Sequence, residues 1–307
     1  DSGAPMPLGA DAVIPWADTD RGESRVTIHH AVAAGDNVRR RAEDVKSGTT
    51  VLTRGSRISA RHVALLAGLG MHRVRVRPAP RVVVVSIGDE LVEPGQSREA
   101  GDVFDANGHA LACAVTDAGG QAFRVAAVPD ELRALADTIE DQLVRADVLI
   151  TTGGLSVGQG DTVKDVLAPL GSVRFDAVAM SPGRQLGVGT VEGTPIFCLP
   201  GDPVSAQIAF ETFVRPVLRQ IAGRTSLHRS SLPATISEGW HSPSGKREFV
   251  PVHVSGSPSR GYRAEPTTPP GAVRLHGLSE ANAIAVVPED TSTVVAGDTL
   301  HCLLLDA

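Results

Sequence analysis

The chain has 307 residues, 42% of them hydrophobic and 21% charged, with a formal net charge of −6. That is the composition of an ordinary soluble globular protein with room for two or more domains; it excludes a largely disordered chain, and the acidic balance sets a non-specific nucleic-acid binder aside. Three widely spaced cysteines (Cys113, Cys198, Cys302) without a CxxC pair exclude a disulfide framework or zinc site and fit a reducing, cytoplasmic setting, and no apolar run approaches a membrane span.

The sequence starts at Asp1, without an initiator Met, in what reads as structured chain; the expectation is that an N-terminal part of the native protein precedes it. Residues 1–49 carry turn signals at Gly3, Pro5, Pro7 and Gly9 and an alternating run at 25–29, which predicts a small β-rich unit. Residues 50–79 predict a helical piece: Ser59 can cap a helix with Val63, Leu66 and Leu69 on one face, Gly70 closes it, and Pro78-Ala79-Pro80 reads as a linker.

From 80 to 226 the pattern alternates strand and helix. Val82-Val83-Val84-Val85 suits a parallel strand buried on both faces. A helix is predicted from about 107 to 117, a strand over 123–128, and a helix capped by Asp130 with Leu132, Leu135, Ile139 and Leu143 at helical spacing. Strands at 147–151, 173–178 and 196–199 follow, with a helix from Asp161 and a long one from Asp202-Pro203 to Gly223. This predicts a doubly wound, mainly parallel α/β sheet. Residues 230–307 lose the helical period and give short alternating runs between Ser/Gly/Pro clusters, which predicts a small antiparallel β barrel or sandwich.

In such a sheet a ligand binds outside the carboxyl ends of the strands, and four polar turns fall there: 86–90, 151–161, 181–184 and 200–205. The 151–161 loop has glycines at 153, 154, 158 and 160 between a buried strand and a helix; it is neither a P-loop nor GxGxxG, and reads either as a backbone cradle for phosphate or as a plain strand-to-helix turn. Asp161 reads as a helix cap, a Mg²⁺ ligand, or both; Glu90 as a ligand at a strand end or a solvated loop acid. Pro200-Gly201-Asp202-Pro203 is explained by capping alone, although its helix N-terminus offers an anion site. Arg184, after Ser181-Pro182-Gly183, reads as an anion contact or a solvated arginine. The histidines show no metal-ligand spacing and there is no GxSxG elbow.

Taken in order, these turns and their companions resemble a known family. The matching residues are Ser2-Gly3-Ala4-Pro5 and Gly9-Ala10-Asp11-Ala12-Val13; Gly35-Asp36-Asn37-Val38-Arg39 and Glu43-Asp44-Val45; Ser86-Ile87-Gly88-Asp89-Glu90 with Pro94-Gly95; Asp105-Ala106-Asn107; Gly153-Gly154-Leu155-Ser156-Val157-Gly158 with Asp161 and Lys164; Pro182-Gly183; and Leu199-Pro200-Gly201-Asp202-Pro203-Val204-Ser205. Each is weak, but their order and spacing together are specific. The chain resembles the molybdopterin molybdotransferases, bacterial MoeA and the E domain of gephyrin.

The resemblance implies a transferase of molybdenum cofactor biosynthesis that uses adenylylated molybdopterin, molybdate and Mg²⁺ and releases AMP. It also implies a homodimer whose site is shared between subunits, so that Ser2 and Asp44 would act on the partner's site. By position it implies that Glu90, Asp130 and Asp161 are functional acids, with Glu90 and Asp161 as metal ligands. Ser86, Gly88, Asn107, Gly153, Gly154, Ser156, Gly158, Ser181, Pro182, Gly183, Arg184, Pro200, Gly201, Asp202, Pro203 and Ser205 would bind the substrate. Other molybdenum cofactor biosynthesis proteins are possible partners. Four positions depart from the family pattern: Ala177 and Ser181 stand where lysines are common, Arg184 where Lys is, and Asp202 where Asn is. A lost charged contact weakens anion binding by about 1–3 kcal/mol, so a molybdopterin adenylyltransferase-like enzyme and a non-catalytic molybdopterin-binding scaffold stand as alternatives.

Overall fold

The computed structural model describes residues 3–155 and 162–305. The chain divides into two compact units, Asp1–Ser56 and Arg57–Ala307. In the first, the alternating run at 25–29 does not become a ladder: a single antiparallel bridge joins Thr19 and Ile28, beside a 3₁₀ turn at Trp16–Asp18. The rest is turns tied by polar side chains. Asp20 accepts the amides of Gly22 and Thr27, and Asn37 donates to the Val13 carbonyl. Val26 and Ile28 are more than half exposed, so no apolar face rewards extension of the strand.

The second unit opens with α1 (Ala60–Gly68), preceded by Ser59 as predicted; the His62 Nδ1 accepts the Ser59 backbone N–H. Then come β1 (Arg81–Ser86), β2 (Leu91–Val92), β3 (Val103–Phe104), α2 (Ala106–Ala118), β4 (Gln121–Arg124), α3 (Leu132–Leu143) and β5 (Val148–Thr152). They are followed by α4 (Thr162–Leu170), β6 (Gly171–Ala177), β7 (Met180–Ser181), β8 (Gln185–Val191) and β9 (Thr194–Leu199). One long helical stretch closes this half: α5 (Pro203–Ala209), a π turn (Phe210–Val214) and α6 (Arg215–Ile221). Pro216 has no N–H to return to the preceding turn, which accounts for the widened turn just before it.

The main sheet runs β4-β1-β5-β9-β8-β6. Its first four strands are parallel, while β8 and β6 are antiparallel additions. Strand alternation divides the core into two faces. Val82 and Val84 pack with Leu111 and Val115 of α2 and with Phe210 and Leu218; Val83 and Val85 pack with Leu135 and Ile139 of α3 and Leu167 of α4. From β1 the chain crosses to β4 on one side, then back to β5 on the other. The order therefore reverses between β1 and β5, and the helices on either side diverge there.

The remaining strands are β10 (Ser231–Ile236), β11 (Trp240–His241), β12 (Arg247–Ser257), β13 (Gly261–Pro266), β14 (Ala283–Val287), β15 (Thr293–Val294) and β16 (Thr299–Leu304), with α7 (Leu275–Glu280) between β13 and β14. Pairing in the order β13-β10-β16-β14-β12 and back to β13 closes a five-stranded barrel, one of the two expected forms, although not wholly antiparallel: β10 and β13 pair in parallel. Its interior holds Val250, Val252, Ala283, Ala285 and Cys302. The short β7 extends this sheet beyond β12, and Met180, Val204, Ile208, Phe249 and Ile284 form a shared apolar seam with the α/β half. Among the described residues no helix is long and apolar enough to cross a membrane.

Candidate functional site

The carboxyl ends of β1, β5 and β9 border a cleft of about 520 Å³ at the point where the strand order reverses. Glycines make the approach possible. Gly153 and Gly154 have φ of +91° and +67°, in the region that side chains avoid, and a Cβ on Gly153 would run into the Ile87 carbonyl. The β5 and β9 turns also come close together, since a Cβ on Gly201 would lie 3.5 Å from the Gly153 Cα.

One wall is held by neutral hydrogen bonds. The Thr152 hydroxyl donates to the Pro200 carbonyl (2.8 Å), so its oxygen is left to accept. Asn107, at the start of α2, donates its amide to that oxygen (2.9 Å) and to the Gly201 carbonyl (2.8 Å). Both partners require a donor, which fixes the amide orientation and leaves Asn107 Oδ1 buried without a partner. An acceptor in that position is costly unless a ligand or solvent serves it.

Beside this wall, Asp105 in the cleft lining joins an ionic group whose other members, Arg124 and Glu93, stand behind the lining. Asp105 caps α2: its Oδ1 accepts the Gly108 amide (2.8 Å) and the Ser86 hydroxyl (2.9 Å), and its Oδ2 lies 3.3 Å from Arg124 Nη1. Arg124 also grips Glu93 with both terminal nitrogens, at 2.7 and 2.8 Å. That guanidinium holds the Glu93 carboxyl below the usual glutamate range, against partial burial, which pushes it up. Glu90 folds over Gly88, close enough that a Cβ on Gly88 would meet its carboxylate.

Ser86, Gly88, Glu90, Asn107, Asp130, Gly153, Gly154, Pro200, Gly201, Asp202 and Pro203 all line the cleft. Asp130 does so as a loop residue. It does not cap α3, whose N-cap is Glu131; instead its amide donates to the Asp89 carboxylate (2.9 Å), which holds it one residue short of the helix. Asp202 is the cap of α5, accepting the Ser205 amide at 2.8 Å; the acid thus fills the capping role that an Asn would.

Ser181, Pro182, Gly183, Arg184 and Ser205 are not in the cleft wall. Ser181 is drawn into β7 against Glu248, a Cβ on Gly183 would press on the Ser205 carbonyl, and Arg184 is exposed while its neighbour Gln185 lines the cleft. Ser2, Ser156, Gly158 and Asp161 lie outside the described residues, and Asp44 is an exposed residue of the other unit. The sequence reading did not single out Thr152, Arg124 or Glu93, and took Asp105 only as part of a motif. An Asp just before a helix whose third following residue is Gly108 is a capping signal that could have found it. Among the described residues no group of three His, Cys, Asp or Glu converges as a metal site. Glu90 and Asp130 nevertheless supply hard oxygen donors to one cleft. That suits a cation completed by substrate phosphates and water better than an all-protein cage.

Residues 83–220 match the family described as a probable molybdopterin binding domain, residues 1–70 the MoeA N-terminal region (domains I and II) and residues 233–305 the MoeA C-terminal region (domain IV). Molybdopterin molybdenumtransferase 2 of Mycobacterium tuberculosis is 38% identical over 98% of this chain and 75% of its own length; molybdopterin molybdenumtransferase 1 of that organism is 36% identical over 99% and 73%. The chain belongs to the molybdopterin molybdenumtransferase family. The crystal structure of a molybdopterin biosynthesis MoeA protein from Pyrococcus horikosii superposes with a TM-score of 0.81 at 28% identity, covering 98% of this chain and 74% of that one. This member thus carries the family's α/β and barrel architecture, and its cleft lies inside the segment matched by the molybdopterin-binding domain.

Proposed function

We propose that this chain acts in molybdenum cofactor biosynthesis, inserting molybdate into adenylylated molybdopterin with release of AMP. The observation that carries the reading is the cleft itself. Left-handed glycines, an unserved Asn107 acceptor and the acids Glu90 and Asp130 meet at the strand-order reversal of the segment that matches the molybdopterin-binding family. Glu90 and Asp130, with Asp161, would hold Mg²⁺, which would neutralise charge on the phosphoanhydride as it opens. Gly153 and Gly154 bring main chain close to the ligand, and Ser86 and Asn107 offer it oriented polar atoms. The working form is a cytoplasmic homodimer in which Ser2 and Asp44 serve the partner's cleft.

A Mg²⁺-dependent assay tests this: adenylylated molybdopterin and molybdate are supplied and AMP release is followed. Wild type should turn over. Glu90→Gln and Asp161→Ala should each lose at least about 100-fold, since each removes a charge from the reacting centre. Full activity in both variants would remove those acids from the mechanism. A second reading rests on Asp202, which places an acid in the cleft wall, and on the absence of lysines at Ala177 and Ser181. Molybdopterin binding by wild type without turnover would favour that reading, a non-catalytic scaffold.

A further inference from the structure

After Ser86 the chain leaves the main sheet, forms β2, turns, returns as β3 and ends at Asp105, the cap of α2. This flap carries Glu90, Leu91, Val103, Phe104 and Asp105 to one side of the cleft. Little apolar burial fixes it: Leu91 and Val92 are half-buried, and Val103 and Phe104 are exposed. Its ladder is a two-stranded parallel pair, with Val103 N–H donating to the Glu90 carbonyl (2.7 Å) and Asp105 N–H to the Val92 carbonyl (2.9 Å). A ladder this short is weak without a further anchor.

The anchor is Arg124, at the end of β4. Its fork takes both carboxylate oxygens of Glu93, one residue past β2, while Nη1 also faces the Asp105 carboxylate where the flap ends. We propose that Arg124 is a positioning residue for the cleft, clamping the 88–105 flap just past β2 through Glu93 and at its far end through Asp105, and so fixing where Glu90 and Ser86 stand. The geometry needs a planar fork; the point charge of a lysine reaches one carboxylate but cannot bind Glu93 with two parallel bonds. The pair is about a quarter exposed, so its loss costs the whole fold little while releasing the flap. Capping of α2 does not need the arginine, because Asp105 Oδ1 already takes the Gly108 amide.

The test has two arms. Hydrogen exchange on the chain without ligand should show amides of residues 89–105 exchanging at least about tenfold faster in Arg124→Gln, and faster in Arg124→Lys as well, with β10 to β16 unchanged. In the AMP-release assay the same variants should lose at least about tenfold in kcat, with a smaller change in KM, because a displaced acid fails in the transition state more than in binding. Adding Glu93→Gln to Arg124→Gln should cost little more, since the two act as one unit. Unchanged flap exchange in both variants, additive losses, or a loosened flap with full kcat would each overturn the clamp. The kinetic arm rests on the transferase reading and the exchange arm does not. A wild type without turnover would count against the transferase, leaving exchange to decide the clamp.

Discussion

The α/β half builds a six-stranded sheet and the barrel a five-stranded one that β7 extends, both against valine- and alanine-rich cores, yet among the described residues only the first leaves a row of chemistry at its edge. In the open sheet the parallel strands β1, β5 and β9 end on the same side, and the reversal between β1 and β5 parts the helices, so the turns after Ser86, Thr152 and Leu199 collect around a cleft. In the barrel the ladder returns to its first strand, and its buried acid, Glu248, is turned inward to accept the Trp240 indole N–H at 2.9 Å. Closure uses polar groups for cohesion, whereas an open sheet with a reversal leaves them available to a ligand.

The sharpest way to break that contrast is to ask whether the halves unfold separately. Phe210, fully buried in the π turn, belongs only to the α/β core; Phe210→Ala should cost about 3–5 kcal/mol in urea unfolding. Because the seam at Met180, Val204, Ile208, Phe249 and Ile284 spans both halves, fluorescence of the buried Trp240 and far-UV circular dichroism should shift together. A Trp240 transition that stays in place would show the barrel to be an independent unit.

A smaller effect is expected inside the barrel. Trp240→Phe takes from the Glu248 carboxylate, 2% exposed, its indole partner and should cost roughly 1–3 kcal/mol. AMP release by the folded variant should match wild type; a loss there would mean that barrel and cleft are coupled through more than the seam.

The smallest effect is on acidification of the Glu93–Arg124 pair. Arg124 lowers the folded pKa of Glu93, so its contribution is present above the ordinary glutamate value of 4.5 and is lost as pH falls through the lowered folded value. Between about pH 6 and pH 3 wild type should lose more Tm than Glu93→Gln, by an amount equivalent to under about 1 kcal/mol. Parallel curves would show that the pair contributes nothing to global stability.

Legibility followed the same division. The β1 valines, the Leu135 and Ile139 stripe of α3 and the closed barrel were readable, because burial imposes a period on neighbouring residues. β8 was not, since Gly187 and Gly189 in a strand look like a turn. They are there because a Cβ at 187 would meet the Phe175 ring and one at 189 the Ser172 carbonyl, a packing constraint that no periodicity carries. Asp130 had the spacing of a cap but is held away from the helix by Asp89, 41 residues earlier. The Glu93–Arg124 pair, 31 residues apart, joins a flap to a strand end, and nothing local announces it.

The two residues of β7 have a consequence for how the molecule can be cut. Met180 and Ser181 lie parallel to Arg247 and Glu248, and Arg247 N–H also donates to the Ala179 carbonyl. A fragment ending before Ser231 would leave that edge without its neighbour and bare Met180, Val204 and Ile208 beside it, a template for strand addition by another copy. The barrel thus covers an apolar edge that the α/β half would otherwise expose.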